Sequence, residues 1–215
     1  MKAAIFDMDG TLLDSMWIWE KLAYNYLESI DIVPPNDLRE KLKPLSLLEG
    51  CYYMKDKFKF QMSAEQINHE MEKLLEIYYA EKFELKPYAK EVLDKLKTNN
   101  IKMCLATATA DNLVSMALKR LGIENYFKFI QTSNNAGIGK QNPEFFKMVI
   151  KKLNFDARDI WVFEDALHCI KSAKECGLNV VAVKEDSAKK DLEEIKKNAD
   201  IFINDFNDLK IENLI

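Results

Sequence analysis

Ala3-Ala4-Ile5-Phe6-Asp7-Met8-Asp9-Gly10-Thr11-Leu12-Leu13-Asp14-Ser15 is a short apolar run that stops abruptly at two carboxylates flanking one methionine. A run of that length, ended by acids and a glycine, reads as a buried strand whose carboxyl end carries the acids. Strand ends of this kind are where open α/β sheets place their chemistry. Residues two apart on an extended segment point the same way, so Asp7 and Asp9 are expected to crowd like charges, and a hard divalent cation is the usual remedy. Gly10 lets the backbone turn closely past a ligand, while the Thr11 hydroxyl and nearby amides can bind an anion. Asp and Gly are also ordinary turn residues, so this stretch alone leaves open a plain strand followed by an acidic turn.

From Trp17 the periodicity changes. Trp19, Leu22, Ala23, Tyr26, Leu27 and Ile30 fall at spacings of three and four, and Pro34-Pro35 ends the run. Asn36 can cap a second helix through Leu38, Leu42 and Leu45, with a break suggested by Pro44. A third helix is expected over 47–60. Ser63 with Gln66 forms a capping box before a fourth, which carries Ile67, Met71, Leu74, Leu75, Tyr78 and Tyr79 on its apolar face. Residues 16–83 thus read as an all-helical insert, in which Trp17 and Trp19 are expected to belong to the insert's own core in preference to walling a leaving-group pocket.

After Pro87 helix and strand alternate, the signature of a parallel sheet with helices on its faces. Strands are expected at 101–106, 127–131, 160–163, 179–183 and 201–203, separated by helices. The fold class is therefore α/β, a doubly wound Rossmann-like parallel sheet with an all-helical cap inserted after the first strand. The expected domains are a core of 1–14 with 85–215 and a cap of 15–84.

Three further strand ends add chemistry. The second strand runs out at Leu105-Ala106-Thr107-Ala108-Thr109, a hydroxyl and free amides where a helix begins, which suits either a phosphate or a simple N-cap. Next comes Ala136-Gly137-Ile138-Gly139-Lys140-Gln141-Asn142-Pro143-Glu144, in which glycines free the loop, Lys140 offers a compact cation and Pro143 sits where a helix would start. The fourth strand ends at Glu164-Asp165, an acid pair that could cap the next helix or, with Asp7 and Asp9 on a neighbouring strand end, hold a metal. Oxygen-only ligands favour Mg²⁺.

These four segments, in this order, resemble the motifs of the haloacid dehalogenase-like superfamily, chiefly phosphotransferases that work through an aspartyl-phosphate, and within it the β-phosphoglucomutase/phosphatase-like subgroup with a helical cap. The second Asp, at Asp9, points to phosphoryl chemistry, since true dehalogenases of that superfamily generally lack it. The resemblance implies Asp7 as nucleophile and Asp9 as acid and base. It assigns Thr107, the Ala108 amide and Lys140 to the phosphoryl group. Its magnesium would be held by Asp7, the Asp9 carbonyl and Asp165, with Glu164 direct or through water. It also makes the helical insert a mobile lid. Gln141 stands where relatives usually have a proline, Ala166 where they have Ser, and Cys169 where they have a small residue, often Gly.

The implied activity is Mg²⁺-dependent hydrolysis of small phosphorylated metabolites such as sugar phosphates. A phosphosugar mutase would use the same residues, but β-phosphoglucomutases carry a histidine twelve residues after the nucleophile and this chain has Trp19 there. A non-catalytic binding protein on the same scaffold is disfavoured by the intact Asp7, Asp9, Lys140 and Asp165. The 215 residues are 48% hydrophobic, ample for a packed core, and 31 basic against 35 acidic side chains give a net charge of -4, so nucleic acid is not an expected partner. No stretch has the length and apolarity of a membrane span, the N-terminus lacks the pattern of a secretory leader, and the four cysteines show no zinc-like spacing. A cytoplasmic monomer with reduced thiols is expected.

Overall fold

The computed structural model describes residues 1–42 and 47–214. Pro44 and Leu45, which bear on the end of the second expected helix, lie outside them. The chain divides into two compact units, Met1–Met16 with Phe83–Ile215, and Trp17–Lys82.

The first unit begins with β1 (Ala3–Phe6), and α1 (Met16–Ser29) starts at its boundary. The second unit is otherwise α2 (Leu38–Leu42), α3 (Leu47–Phe58) and α4 (Ala64–Glu81), with no strand among its described residues. In α4 the capping box forms, Ser63 accepting from the Gln66 amide while the Gln66 side chain accepts from the Ser63 amide. Ile67, Met71, Leu75 and Tyr79 are buried along its apolar stripe, whereas Leu74 and Tyr78 are only partly covered. Trp17 and Trp19 correct the expectation made for them: both are exposed, at 41% and 37%, while Ile18 between them is fully buried. The stripe that faces inward runs through Ile18, Leu22, Tyr26 and Leu27, which leaves the flanking tryptophans on the outer side of the helix. Trp17 instead packs edge-on to Tyr78.

The first unit continues with α5 (Ala89–Thr98), β2 (Lys102–Thr107), α6 (Asp111–Arg120), β3 (Phe127–Thr132), α7 (Ser133–Ala136), α8 (Pro143–Leu153), β4 (Ile160–Glu164), α9 (Leu167–Glu175), β5 (Asn179–Val183), α10 (Leu192–Asn198) and β6 (Ile201–Ile203). A 3₁₀ helix, Asp186–Asp191, precedes α10 where the charged stretch 187–197 reads in sequence as one helix. The six strands are parallel in the order β3-β2-β1-β4-β5-β6. The chain builds outward from β1 on one side, then returns to place β4 on its other flank, so the strand order switches between β1 and β4.

The central strands are apolar on both faces because helices cover both, as parallel sheets require. Ala3, Ile5, Cys104, Val162 and Val180 join Phe145, Phe146, Val149, Ile170 and Ile195 from α8, α9 and α10 in one buried cluster. On the opposite face Phe6 stacks on Phe163 at 4.3 Å between centroids, and Phe163 on Phe206 at 6.1 Å. The segments that leave and rejoin this unit around the insert are bonded to one another. Leu13 pairs antiparallel with Leu85, the Asp14 amide donates to the Glu84 carbonyl at 3.0 Å, and the Lys86 amide to that of Leu12 at 2.8 Å. No helix among the described residues is long and apolar enough to cross a membrane.

Candidate active site

Asp7 is the first residue beyond β1, and its amide still donates to the Phe163 carbonyl of β4 at 3.0 Å. Glu164 is the last residue of β4 and Asp165 the next. Because β1 and β4 pair in register from Ala3 with Ile160 to Phe6 with Phe163, the acids emerge side by side at the switch point. Carboxylate oxygens of Asp7, Glu164 and Asp165 all lie within 4.8 Å of one another, and all three residues are buried.

Lys140 reaches this cluster from the loop between α7 and α8. Gly137, with φ of +72°, ends α7 as a left-handed cap, and Pro143 starts α8 behind the Asn142 N-cap. The lysine is 4% exposed and donates at 2.6 Å to both Asp7 Oδ1 and Glu164 Oε2. Burial opposes its charge, but Asp7 and Glu164 outweigh that and hold the ammonium well above its ordinary range. Burial and then the charge of Asp7 push Glu164 up to about 7, against the pull of Lys140. Burial, Glu164 and Asp7 likewise raise Asp165 well above the usual carboxylate range. Three carboxylates thus face one ammonium, and for Glu164 and Asp165 burial first, then the neighbouring negative charge, raises the carboxyl.

Asp165 is held in place by its neighbours. Thr11 donates to Asp165 Oδ1 at 3.1 Å, so its hydroxyl is engaged there and not left for an anion as the sequence suggested. Gly10 has φ of +80°, and a Cβ there would lie 2.6 Å from Asp165 Oδ2. Only glycine allows both that backbone and that approach.

Asp9 is not one of the three clustered acids. β1 has ended by Phe6, so the alternation that would send Asp7 and Asp9 the same way does not extend through them. Its carboxylate accepts from Ser15 Oγ at 2.6 Å on one oxygen and from Thr109 Oγ1 on the other. Neither hydroxyl stood out in the sequence. Their presence within the first two motifs was the available signal, but Thr109 is 100 positions from Asp9 and only the β1–β2 pairing brings them together.

Thr107, the last residue of β2, is buried, and its hydroxyl accepts from the Thr109 amide at 3.1 Å. Ala108 follows and is exposed. Of the two family departures after Glu164, Ala166 gives its amide to Glu164 Oε1 at 3.2 Å, and Cys169 is buried with its thiol held protonated by burial and by the Glu164 charge. His168 and His69 are both exposed.

A cation fits the buried acids: they offer only oxygen ligands, they gather without enough positive charge, and a Cβ at Gly10 would fill the space beside Asp165.

The model of the family described as haloacid dehalogenase-like hydrolase matches residues 4–183. The chain is 28% identical over 178 residues to the phosphorylated carbohydrates phosphatase of Thermotoga maritima, covering 83% of this chain and 82% of that one. It is 29% identical over 193 residues to the β-phosphoglucomutase of Bacillus subtilis, covering 85% and 83%. Among solved structures, a provisionally named β-phosphoglucomutase of Thermotoga maritima superposes with a TM-score of 0.81 at 27% identity, covering 94% of each chain. Its match over most of the sequence and its six-stranded parallel core agree: the chain belongs to the haloacid dehalogenase-like hydrolases.

Proposed function

We propose that this enzyme is a phosphoric monoester hydrolase that uses Mg²⁺ and an aspartyl-phosphate on Asp7 to cleave small phosphorylated metabolites, sugar phosphates or similar compounds. The observation that carries the reading is the buried group formed by Asp7, Lys140, Glu164 and Asp165. The phosphatase and mutase names of its relatives support the same chemistry.

Asp7, Asp165 and Glu164, with the Asp9 carbonyl, would hold the metal, which when bound supplies positive charge against the phosphoryl oxygens and the nucleophile. An Asp7 carboxylate oxygen attacks phosphorus in line as the bond to the leaving oxygen breaks. Asp9, protonated, gives its proton to that oxygen, so the alcohol departs neutral. Asp9 then takes a proton from water, whose oxygen attacks phosphorus; the bond to Asp7 breaks, releasing inorganic phosphate and restoring both groups. Lys140 neutralises Asp7 and equatorial oxygens, while Thr107 and the Ala108 amide hold the remaining oxygens.

A hydrolysis screen of phosphorylated metabolites with Mg²⁺ tests the proposal. Asp7→Asn should lower turnover by at least about several hundredfold, roughly the scale of removing a nucleophile. A variant as fast as the parent defeats the reading. The similarity to β-phosphoglucomutase supports a second reading, interconversion of sugar 1- and 6-phosphates. Trp19, where the resemblance to β-phosphoglucomutases would call for a histidine, ranks it below hydrolysis. Conversion of one sugar phosphate into the other without release of phosphate would reverse that order.

A further inference from the structure

We propose that Ser15 and Thr109 are positioning residues for Asp9, holding its carboxyl group by one hydroxyl on each oxygen so that its proton is delivered in a fixed direction. The inference rests on the reading of Asp9 as the acid that protonates the leaving group. It starts from the two hydrogen bonds, Ser15 Oγ to Asp9 Oδ1 at 2.6 Å and Thr109 Oγ1 to Asp9 Oδ2.

Three features make this more than incidental surface bonding. Ser15 is fully buried, so its hydroxyl has no bulk water as an alternative partner. Thr109 is itself fixed, because its amide donates to the Thr107 hydroxyl at the end of β2, and that strand is paired to β1 up to Leu105 opposite Phe6. The clamp therefore ties Asp9 to both strand ends rather than to its own loop alone. The choice of hydroxyls also matters. A lysine ammonium or a backbone N–H can only donate, and would favour the ionised carboxylate throughout. A hydroxyl donates to the carboxylate and can turn to accept from the carboxylic acid. Two of them can follow Asp9 through both protonation states, which the two-step reaction requires it to visit alternately.

The test compares two esters in the full-length protein with saturating Mg²⁺: a primary alkyl phosphate, whose alkoxide cannot leave without a proton, and 4-nitrophenyl phosphate, whose phenolate leaves without one. The readout is kcat/KM, which covers steps through phosphoryl transfer to Asp7. Thr109→Val should lose at least about tenfold on the alkyl ester, the scale of one hydrogen bond to a charged group, and less than about threefold on the aryl ester. Ser15→Ala should show the same split, and it carries the test alone should Thr109→Val not fold. Thr109→Ser, which keeps the hydroxyl, should restore the alkyl rate. Equal losses on both esters would mean a merely structural role and overturn the inference, as would no loss on the alkyl ester. Asp9→Asn is the reference. If it shows no split, the assignment of Asp9 as proton donor fails; if it splits and the hydroxyl variants do not, only the clamp fails.

Discussion

The two ends of the β1–β4 pair carry the same kind of contact in opposite surroundings. At the amino end Lys2 meets Asp159 at 2.8 Å, with side chains 61% and 36% exposed. At the carboxyl end, across four residue pairs in register, Lys140 meets Asp7 and Glu164 at 2.6 Å with all three side chains at 8% or less. The distances are nearly equal, so distance does not separate a solvated ion pair from a reactive one. Water screens the first pair, and its charges can part without penalty. The second cannot be dissolved without stranding a charge. Burial holds acids of one sign together there, and the proposed function places a cation among them.

Removing the lysine at each end is the strongest way to break this contrast. Lys140→Met should abolish measurable hydrolysis of a phosphorylated sugar and lower stability by about 3 to 5 kcal/mol, the range for leaving buried charge unpaired. Denaturant melts check the second effect, and added Mg²⁺ should return part of it. A melt unchanged from the parent would show that the acids do not need the ammonium.

Gly10→Ala sharpens the comparison at one carboxylate. The added methyl group must displace Asp165 or the loop, so half-maximal rate should need roughly tenfold more Mg²⁺, the scale of disturbing the support of a ligand. Metal titration of the initial rate measures it.

A subtler difference is in pH. Glu164 titrates near 4.5 when unfolded and at about 7 when folded, so between those values the unfolded chain gives up its proton while the folded chain keeps it. This group's contribution therefore makes the metal-free protein lose stability as pH rises through that window, and level off above it. Melts in chelator should show a slope that Glu164→Gln flattens; equal slopes would remove Glu164 from the account. Lys2→Ala should do least, leaving turnover unchanged and the melting midpoint within about 2 °C.

The same contrast explains what the sequence made legible. Strands with continuous apolar runs ending in acids, such as Ile160-Trp161-Val162-Phe163 before Glu164, announce both a buried sheet and the charged end of it. Asp7, Glu164 and Asp165 could be named as a group because a parallel sheet brings strand ends together whatever their separation in sequence. The partners of Asp9 were not legible. A hydroxyl beside a motif looks like a helix cap or a turn until pairing of β1 with β2 sets Thr109 against it. Nor was the exposure of Trp17 and Trp19, because large aromatics are buried by default and one residue of helical phase decides otherwise.

The bonded pair of segments around Leu13 and Leu85 makes the helical insert a graft on a hairpin. Its two ends already meet at about the spacing of neighbouring strands, roughly 5 Å, so the sheet unit bears little entropic penalty for what is spliced between them. Descendants of this chain could exchange one helical cassette for another while the sheet unit and its buried acids stayed as they were.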